Sequence, residues 1–331
     1  MRDHSLIGPW VRRFLLEHLV TDRNLAHNTQ VSYRDTLLLL LPFLSQAQKK
    51  AVDRLTIDDL SPSRVRSFLR YVEKERGCGG ATRNLRLATI HSLAKFIGMH
   101  SPEYVAWYAG IRAVPFKKTA KTTLTYLDKS EMDALLATSN RQAPQGGRDY
   151  ALLLFLYNTG ARASEAAHVT VADLTWGSSP AVRLVGKGNK ARWCPIWAHT
   201  EDALQRMVAG RAAQGFVFLN RLNQPLTRYG IYSLVHRTAE HASQSLPSLK
   251  AKRVNPHCLR HTCAVHLLRS GVDINTIRAW LGHVSVDTTH IYAEVDLEMK
   301  AKALAHCDLP QEMATKTWHN DEGLIGFLKA L

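Results

Sequence analysis

Hydrophobic residues recur at helical spacing along most of this chain, and one short stretch reads instead as strands. The Leu37–Leu41 run lies in a segment that Asn28 and Thr29 can start as a helix, with Pro42 as a kink or an end. Ser61-Pro62 is an N-cap followed by proline at the first helical position. In the helix that follows, Val65, Phe68, Leu69 and Val72 share a face, and Arg64, Arg66, Arg70 and Lys74 surround it. Gly77–Gly80 breaks that helix, and a third runs from about Ala81 to Ile97, with Leu85, Ala88, Leu93 and Phe96 as its expected core. Ser101-Pro102 starts another short helix.

Residues 115–123, PFKKTAKTT, have few large apolar side chains and three lysines, as a linker would. Asp128 then caps the helix KSEMDALLATS, and Arg148 to Asn158 forms an apolar helix ending near Gly160. Residues 181–196, AVRLVGKGNKARWCPI, predict a β-hairpin of two short strands, with Gly and Asn supplying positive φ in the turn. Helices follow at about 201–213, 227–243, 256–270, 273–281 and 285–294. The expected fold is mainly α with a small β-sheet. Residues 1–114 form a helical domain, 115–124 a basic linker, 125–294 a mixed α/β domain, and 295–331 a tail ending in the apolar GLIGFLKAL.

Length and charge sharpen this picture. A chain of 331 residues suits two or three domains. Lys plus Arg total 43 against 28 acidic residues, a net charge of +15. Residues 1–115 hold 17 basic and 10 acidic side chains, and the remainder 26 and 18, so both halves carry the excess. Two basic globular halves suit a long polyanion surface, with plain solubility as the alternative. Arg64, Arg66, Arg83 and Arg86, with Lys117, Lys118 and Lys121 of the linker, are the candidate contacts to such a polyanion. Five scattered cysteines make no disulfide framework and point to a reducing compartment. The first residues lack a signal-peptide core, and the runs Leu37–Leu41 and Ala151–Tyr157 fall far short of the ~18 residues of a membrane helix. A soluble, cytoplasmic protein is expected.

Four separated segments hold the candidate chemistry. In TGARASE, Arg162 follows a helix-ending glycine and precedes a new helix, where free backbone N–H groups also favour an anion; pairing with Glu165 is the plainer alternative. Lys187 stands on the hairpin turn between two glycines. His257 and Arg260 in HCLRHT share a helix face and suit a phosphate, which the guanidinium can grip with two hydrogen bonds while the imidazole shares a proton. His257, Cys258, His261, Cys263 and His266 also invite zinc, but the first histidine is not followed by Glu and no third ligand stands out, so no metal is assigned. His283 lies in Leu281-Gly282-His283, and Tyr292 follows in TTHIYAEV. Together these place two arginines, a lysine and two histidines around a phosphate, with a tyrosine hydroxyl as nucleophile. Attack on a phosphodiester builds charge that the arginines stabilise. The leaving 5′ oxygen must gain a proton, and the phenol must lose one. A tyrosyl ester conserves the bond energy, so neither ATP nor another cofactor is called for.

These motifs resemble, in order, those of the tyrosine recombinase (phage integrase) family: TGARASE, VGKGNKAR, HCLRHTCAVHLLRSG and LGHVSVDTTHIY, over about residues 125–295. Residues 1–114 resemble the family's helical, SAM-like core-binding domain in layout more than in motif. The resemblance implies that Arg162 and Arg260 clamp the scissile phosphate. It makes Lys187 the general acid, with Lys190 as runner-up, and gives His257 a part in deprotonating Tyr292. His283 would hydrogen-bond the phosphate, Glu165 would support the site, and Tyr292 would form a 3′-phosphotyrosine. It further implies a clamp on double-stranded DNA at specific recombination sites, four protomers on two sites exchanging strands through a Holliday junction, and a tail that docks on a neighbouring protomer or on its own domain.

A site-specific recombinase of an integrase or transposon is the leading expectation, since only about 25 residues precede the first clear helix and an extra arm-binding domain is not expected. An Xer-type chromosome or plasmid dimer resolvase has the same layout and stays open, as does the need for a partner recombinase. A type IB topoisomerase, a non-catalytic DNA-binding regulator and a metal-dependent nuclease fit less well. The core-binding layout, the filled catalytic positions and the lack of a carboxylate cluster argue against them in turn.

Overall fold

The computed structural model describes residues 5–119 and 124–282, with Lys187 described by its backbone. The chain divides into two compact units, Met1–Thr122 and Thr123–Leu331.

The first unit is helical. Helix α1 (Ile7–Arg13) continues into a π-helical stretch, Phe14–Asp22, and Ile7, Trp10, Phe14 and Leu19 are buried along it. Structure therefore starts well before the first helix expected from the sequence. Helix α2 (His27–Gln48) runs through Pro42 without ending there. The carbonyl that loses its donor belongs to Leu38, which is 62% exposed, so water can replace the missing bond, while Leu37, Leu40 and Leu44 bury the opposite face. Helix α3 (Pro62–Lys74) begins as the sequence indicates, with the Ser61 side chain accepting a hydrogen bond from the Arg64 amide and Val65, Phe68, Leu69 and Val72 buried.

Helix α4 (Gly80–His100) corrects one expectation, because Leu85 is 51% exposed. The buried face runs through Leu87, Ile90, Leu93, Ala94, Phe96 and Ile97, so the expected Leu93 and Phe96 lie on it and Leu85 does not. Helix α5 (Val105–Arg112) completes the unit and packs on α4. His91 of α4 is buried beside the Phe116 ring. Burial first, and then the charge of Arg112, hold its pKa below the ordinary imidazole value.

The second unit is built around helix α7 (Pro144–Thr159), which is buried on every side from Ala151 to Thr159. A helix apolar all round belongs at the centre of a core. Helix α6 (Lys129–Ala137), capped by Asp128 and Glu131, packs on it, as do α9 (Ala198–Val208) and α11 (Pro256–Arg269). Helices α8 (Ala163–His168), α10 (Arg228–Ser245) and α12 (Ile274–Leu281) complete the helical set of the described residues.

The small sheet has three antiparallel strands in the order β1-β2-β3: Leu174–Thr175, Ala181–Val185 and Ala191–Pro195. The hairpin is the expected one, with Gly188 and Asn189 at positive φ in its turn. The two-residue strand β1 is too short to show alternation, so the sequence pattern gives no sign of it. Val182, Leu184 and Cys194 face the core. The expected helix at 285–294 and the tail 295–331 lie outside the described residues. Among the described residues no helix is long and apolar enough to cross a membrane.

His91 gives the first unit a pH dependence. Its folded pKa lies below its unfolded one, so the unfolded chain binds more protons; the contribution is complete above the ordinary imidazole range and is lost as pH falls through it. The thermal midpoint of the full chain should drop between pH 7.5 and 5.5, and His91→Phe should remove part of that slope. An unchanged slope in the variant would assign the pH dependence to other groups.

Candidate active site

Helix α7 ends by design of its last residues. Gly160 takes φ +59, and a Cβ there would lie 2.4 Å from the Leu281 side chain, so only glycine fits. The Asn158 and Thr159 carbonyls left over at the helix end find donors. The Cys263 thiol bonds to the Asn158 oxygen at 3.5 Å, Trp280 Nε1 reaches the same oxygen at 3.2 Å, and the Cys194 thiol bonds to the Thr159 oxygen at 3.8 Å. The Asn158 amide spans to the end of β3, donating to the Pro195 carbonyl and accepting from the Trp197 amide. The end of α7 is thus tied to β3, α11 and α12 before any charged residue is considered.

Arg260 tightens the same knot. It is 1% exposed, and its guanidinium donates to the Gly160 carbonyl at 2.6 Å and to the Leu281 carbonyl at 2.7 Å. One buried cation therefore joins the turn before Arg162 to the corner before His283. His257 stands one turn earlier on α11, where the Asn255 side chain caps the helix by accepting from the amides of His257 and Cys258. Packing around the ring, then the charges of Arg260 and Arg162, lower the His257 pKa. The imidazole is therefore neutral at pH 7, with a nitrogen lone pair free to take a proton. Its ring lies edge-on to that of His261, centroids 4.3 Å apart.

Arg162 begins α8 and bonds to Glu165 twice, through its backbone amide at 2.9 Å and its guanidinium at 2.7 Å. Glu165 is also gripped by Arg192 of β3, at 3.2 and 2.8 Å to its two oxygens. The side chains are 37%, 3% and 10% exposed for Arg162, Glu165 and Arg192, so Arg162 alone looks outward. Burial would raise the Glu165 pKa and is the largest single influence, but the hydrogen bonds and charge of Arg192, then those of Arg162, together hold it below the ordinary carboxylate value. Arg192 also donates from Nε to the Trp280 carbonyl at 2.8 Å. The hairpin turn that bears Lys187 comes to the same place, for a Cβ on Gly186 would stand 3.1 Å from Glu165 Oε1.

The structure thus brings together Arg162, Glu165, His257, Arg260 and the backbone entering Lys187. His283 and Tyr292 lie outside the described residues, as does Lys121. Lys190 follows the turn at the start of β3. Among the candidate DNA contacts, Arg66 and Lys118 are exposed and Arg64 is half-buried. The rest are engaged within the first unit. Arg83 donates to Asn84 and the Pro115 carbonyl, Arg86 turns in to the buried Thr36 hydroxyl, and Lys117 pairs with Glu73. Arg192 is the residue that sequence reasoning missed. Its signal was present: it is two residues from the buried Cys194 on one strand, so both face inward, and a charge on an inward face requires a partner.

Comparison with known proteins gives consistent matches. Residues 125–299 match the Phage integrase family, and residues 12–98 match the Phage integrase, N-terminal SAM-like domain. The chain is 35% identical over 333 residues to y4rC of Sinorhizobium fredii, named as an integrase/recombinase, covering 100% of both chains. It is 29% identical to the tyrosine recombinase XerC of Bacillus subtilis, over 87% of this chain and 92% of that protein. In fold it resembles the XerH site-specific recombinase bound to palindromic difH substrate, with TM-score 0.66 and 22% identity over 86% of this chain and 81% of that one. It likewise resembles the Tn1549 transposon integrase in complex with a circular intermediate DNA, with TM-score 0.68 and 18% identity over 90% and 99% of the two chains.

The Gly160 corner has a direct test. Gly160→Ala should cost roughly 2–5 kcal/mol, combining left-handed strain with the clash at Leu281. Gly210→Ala, also at positive φ (+75) but with open space around it, should cost only about 1–2 kcal/mol. Denaturant melts of the full chain compare the two, and equal losses would mean that the α12 corner does not press on Gly160.

Proposed function

The chain belongs to the phage integrase family of tyrosine recombinases, enzymes that cut and rejoin DNA through a tyrosine intermediate, and we propose how its residues divide that work. It is a site-specific DNA recombinase. One observation carries the assignment of roles: Arg162, Arg260 and His257 converge where the Lys187 hairpin and the Gly282 corner also meet.

In this reading Arg162 and Arg260 hold the scissile phosphate and stabilise the charge that grows on its non-bridging oxygens. Arg162 does so from the outward-facing side of the cluster. Arg260 is held in a fixed plane by the carbonyls of Leu281 and of Gly160, the latter two residues before Arg162. The phenol oxygen of Tyr292 attacks phosphorus, the bond to the 5′ oxygen breaks, and a 3′-phosphotyrosine and a 5′-hydroxyl result. His257, neutral at pH 7, assists the loss of the phenol proton, and Lys187 delivers a proton to the departing oxygen. His283, which follows the corner that Arg192 and Arg260 secure, hydrogen-bonds the phosphate. Glu165 orients Arg162. Return of the 5′-hydroxyl of a second strand reverses the step, and no ATP is needed because the ester conserves the bond energy.

The biological role follows as part of the same proposal. The end-to-end likeness to an integrase/recombinase supports a recombinase of a mobile element. In this proposal it works in the cytoplasm as a homotetramer on two double-stranded sites. Dimer resolution of the Xer kind is the second reading, supported by likeness to XerC over most of the chain. Residues 1–114 and 125–294 then serve as core-binding and catalytic domains, joined by the basic 115–124 segment, and the tail docks between protomers.

A nicked suicide substrate carrying the recombination site, incubated with EDTA, should trap a covalent protein–DNA adduct on a denaturing gel. Tyr292→Phe should give none. Arg162→Ala should lower adduct formation by roughly 10²–10³-fold with the fold intact, since that side chain is partly exposed. Arg260→Ala should also destabilise the second unit, because it strands two buried carbonyls. Duplex binding by the wild type should weaken steeply with salt. A bound site that yields no adduct with wild type would contradict the assignment.

A further inference from the structure

Glu165 and Arg162 by themselves form a neutral pair, which is a poor receptor for a phosphate. Arg192 changes that balance. The carboxylate accepts two hydrogen bonds from Arg162 and two from Arg192, so two cations share one anion and the cluster keeps a net charge of +1. The surplus sits on Arg162, the most exposed member. Arg192 itself is committed inward, both terminal nitrogens to Glu165 and Nε to the Trp280 carbonyl.

We propose that Arg192 is a positioning residue for strand cutting: it neutralises Glu165 so that Arg162 keeps its charge for the DNA phosphate, and it pins the base of the Lys187 hairpin to the corner that precedes His283. The inference rests on the roles given to Arg162 and Lys187 above. Two glycines show how closely the parts are fitted. A Cβ on Gly186 would meet Glu165 Oε1 at 3.1 Å and Arg192 Nη1 at 3.7 Å, and a Cβ on Gly282 would meet Arg192 Cδ at 3.1 Å. The Gly186 amide closes the turn on the Lys190 carbonyl at 2.9 Å, so the tip and its anchor move as one piece. Arg192 thereby links the backbone segments that carry Arg162, Lys187 and His283. Lysine cannot replace it fully, because one ammonium cannot meet both carboxylate oxygens and the Trp280 carbonyl in the fixed plane of a guanidinium.

The test uses the full chain and the nicked suicide substrate. Arg192→Gln should slow adduct formation roughly 10- to 100-fold, the scale of a residue that orients a reacting group without touching substrate. Its affinity for the duplex should stay within a few-fold of wild type. Arg192→Lys should fall between. The decisive variant is Arg192→Gln combined with Glu165→Gln, which removes the uncompensated carboxylate and should cut faster than Arg192→Gln alone. A purely structural role predicts the reverse, since a second part of the packing is lost. Should Arg192→Gln fail to fold, the double variant and Arg192→Lys carry the comparison against wild type. Wild-type speed in Arg192→Gln, or a double variant no faster than Arg192→Gln, overturns this inference alone. A wild type that forms no adduct on a bound site overturns the functional reading and this inference with it.

Discussion

A buried carboxylate held by two guanidiniums is costly to assemble, and the second unit is arranged around making that cost recoverable. Removing an ion from water costs several kcal/mol unless every hydrogen-bonding position is filled. Glu165 has all of its positions filled, by Arg162 from its own helix turn and by Arg192 from β3. The benefit is geometric. An aliphatic residue at 165 would pack as well, but it would not fix where the Arg162 guanidinium points or hold β3 against α8.

The rest of the site inherits its precision from that contact and from the end of α7. The central helix is rigid because it is buried all round, and it stops at the one residue whose lack of a side chain lets α12 close over it. Arg260 then bridges Gly160 and Leu281, while Arg192 bridges Glu165 and Trp280. Two inward-facing arginines thus lock the same pair of segments from different sides. In the proposed reading the described cluster of Arg162, Glu165, Arg192 and Arg260 is already held in place without DNA, as electrostatic stabilisation of a transition state requires.

Much of this was legible in the sequence because the informative features are local. Ser61 and Asp128 mark helix starts by side-chain capping, Gly160 marks a helix end, and the hairpin turn displays its glycine and asparagine. The four motifs gave Arg162, Lys187, His257 and Arg260 together with their order. What escaped depends on distant partners. Leu85 is as apolar as Leu87, and only the packing of α4 decides which is buried. Pro42 would break an isolated helix, but a solvent-facing carbonyl tolerates the missing donor. Arg192 resembled one more basic residue of a basic hairpin until its partner, 27 residues earlier, was seen opposite it. The catalytic roles rest on the motifs, and the Lys187 side chain, His283 and Tyr292 lie outside the described residues.

The central claim is that Glu165 is an ionised, fully paired anion on which the site is built. Carboxyl ¹³C NMR of glutamate-labelled protein, with the Glu165 signal assigned by Glu165→Gln, measures this directly. The account predicts that this carboxyl stays ionised as pH falls through about 4.3, where ordinary glutamates titrate, and takes its proton only in more acid solution, where the contribution of the pair to stability is lost. A Glu165 signal that titrates with the ordinary glutamates, or above them, would contradict it.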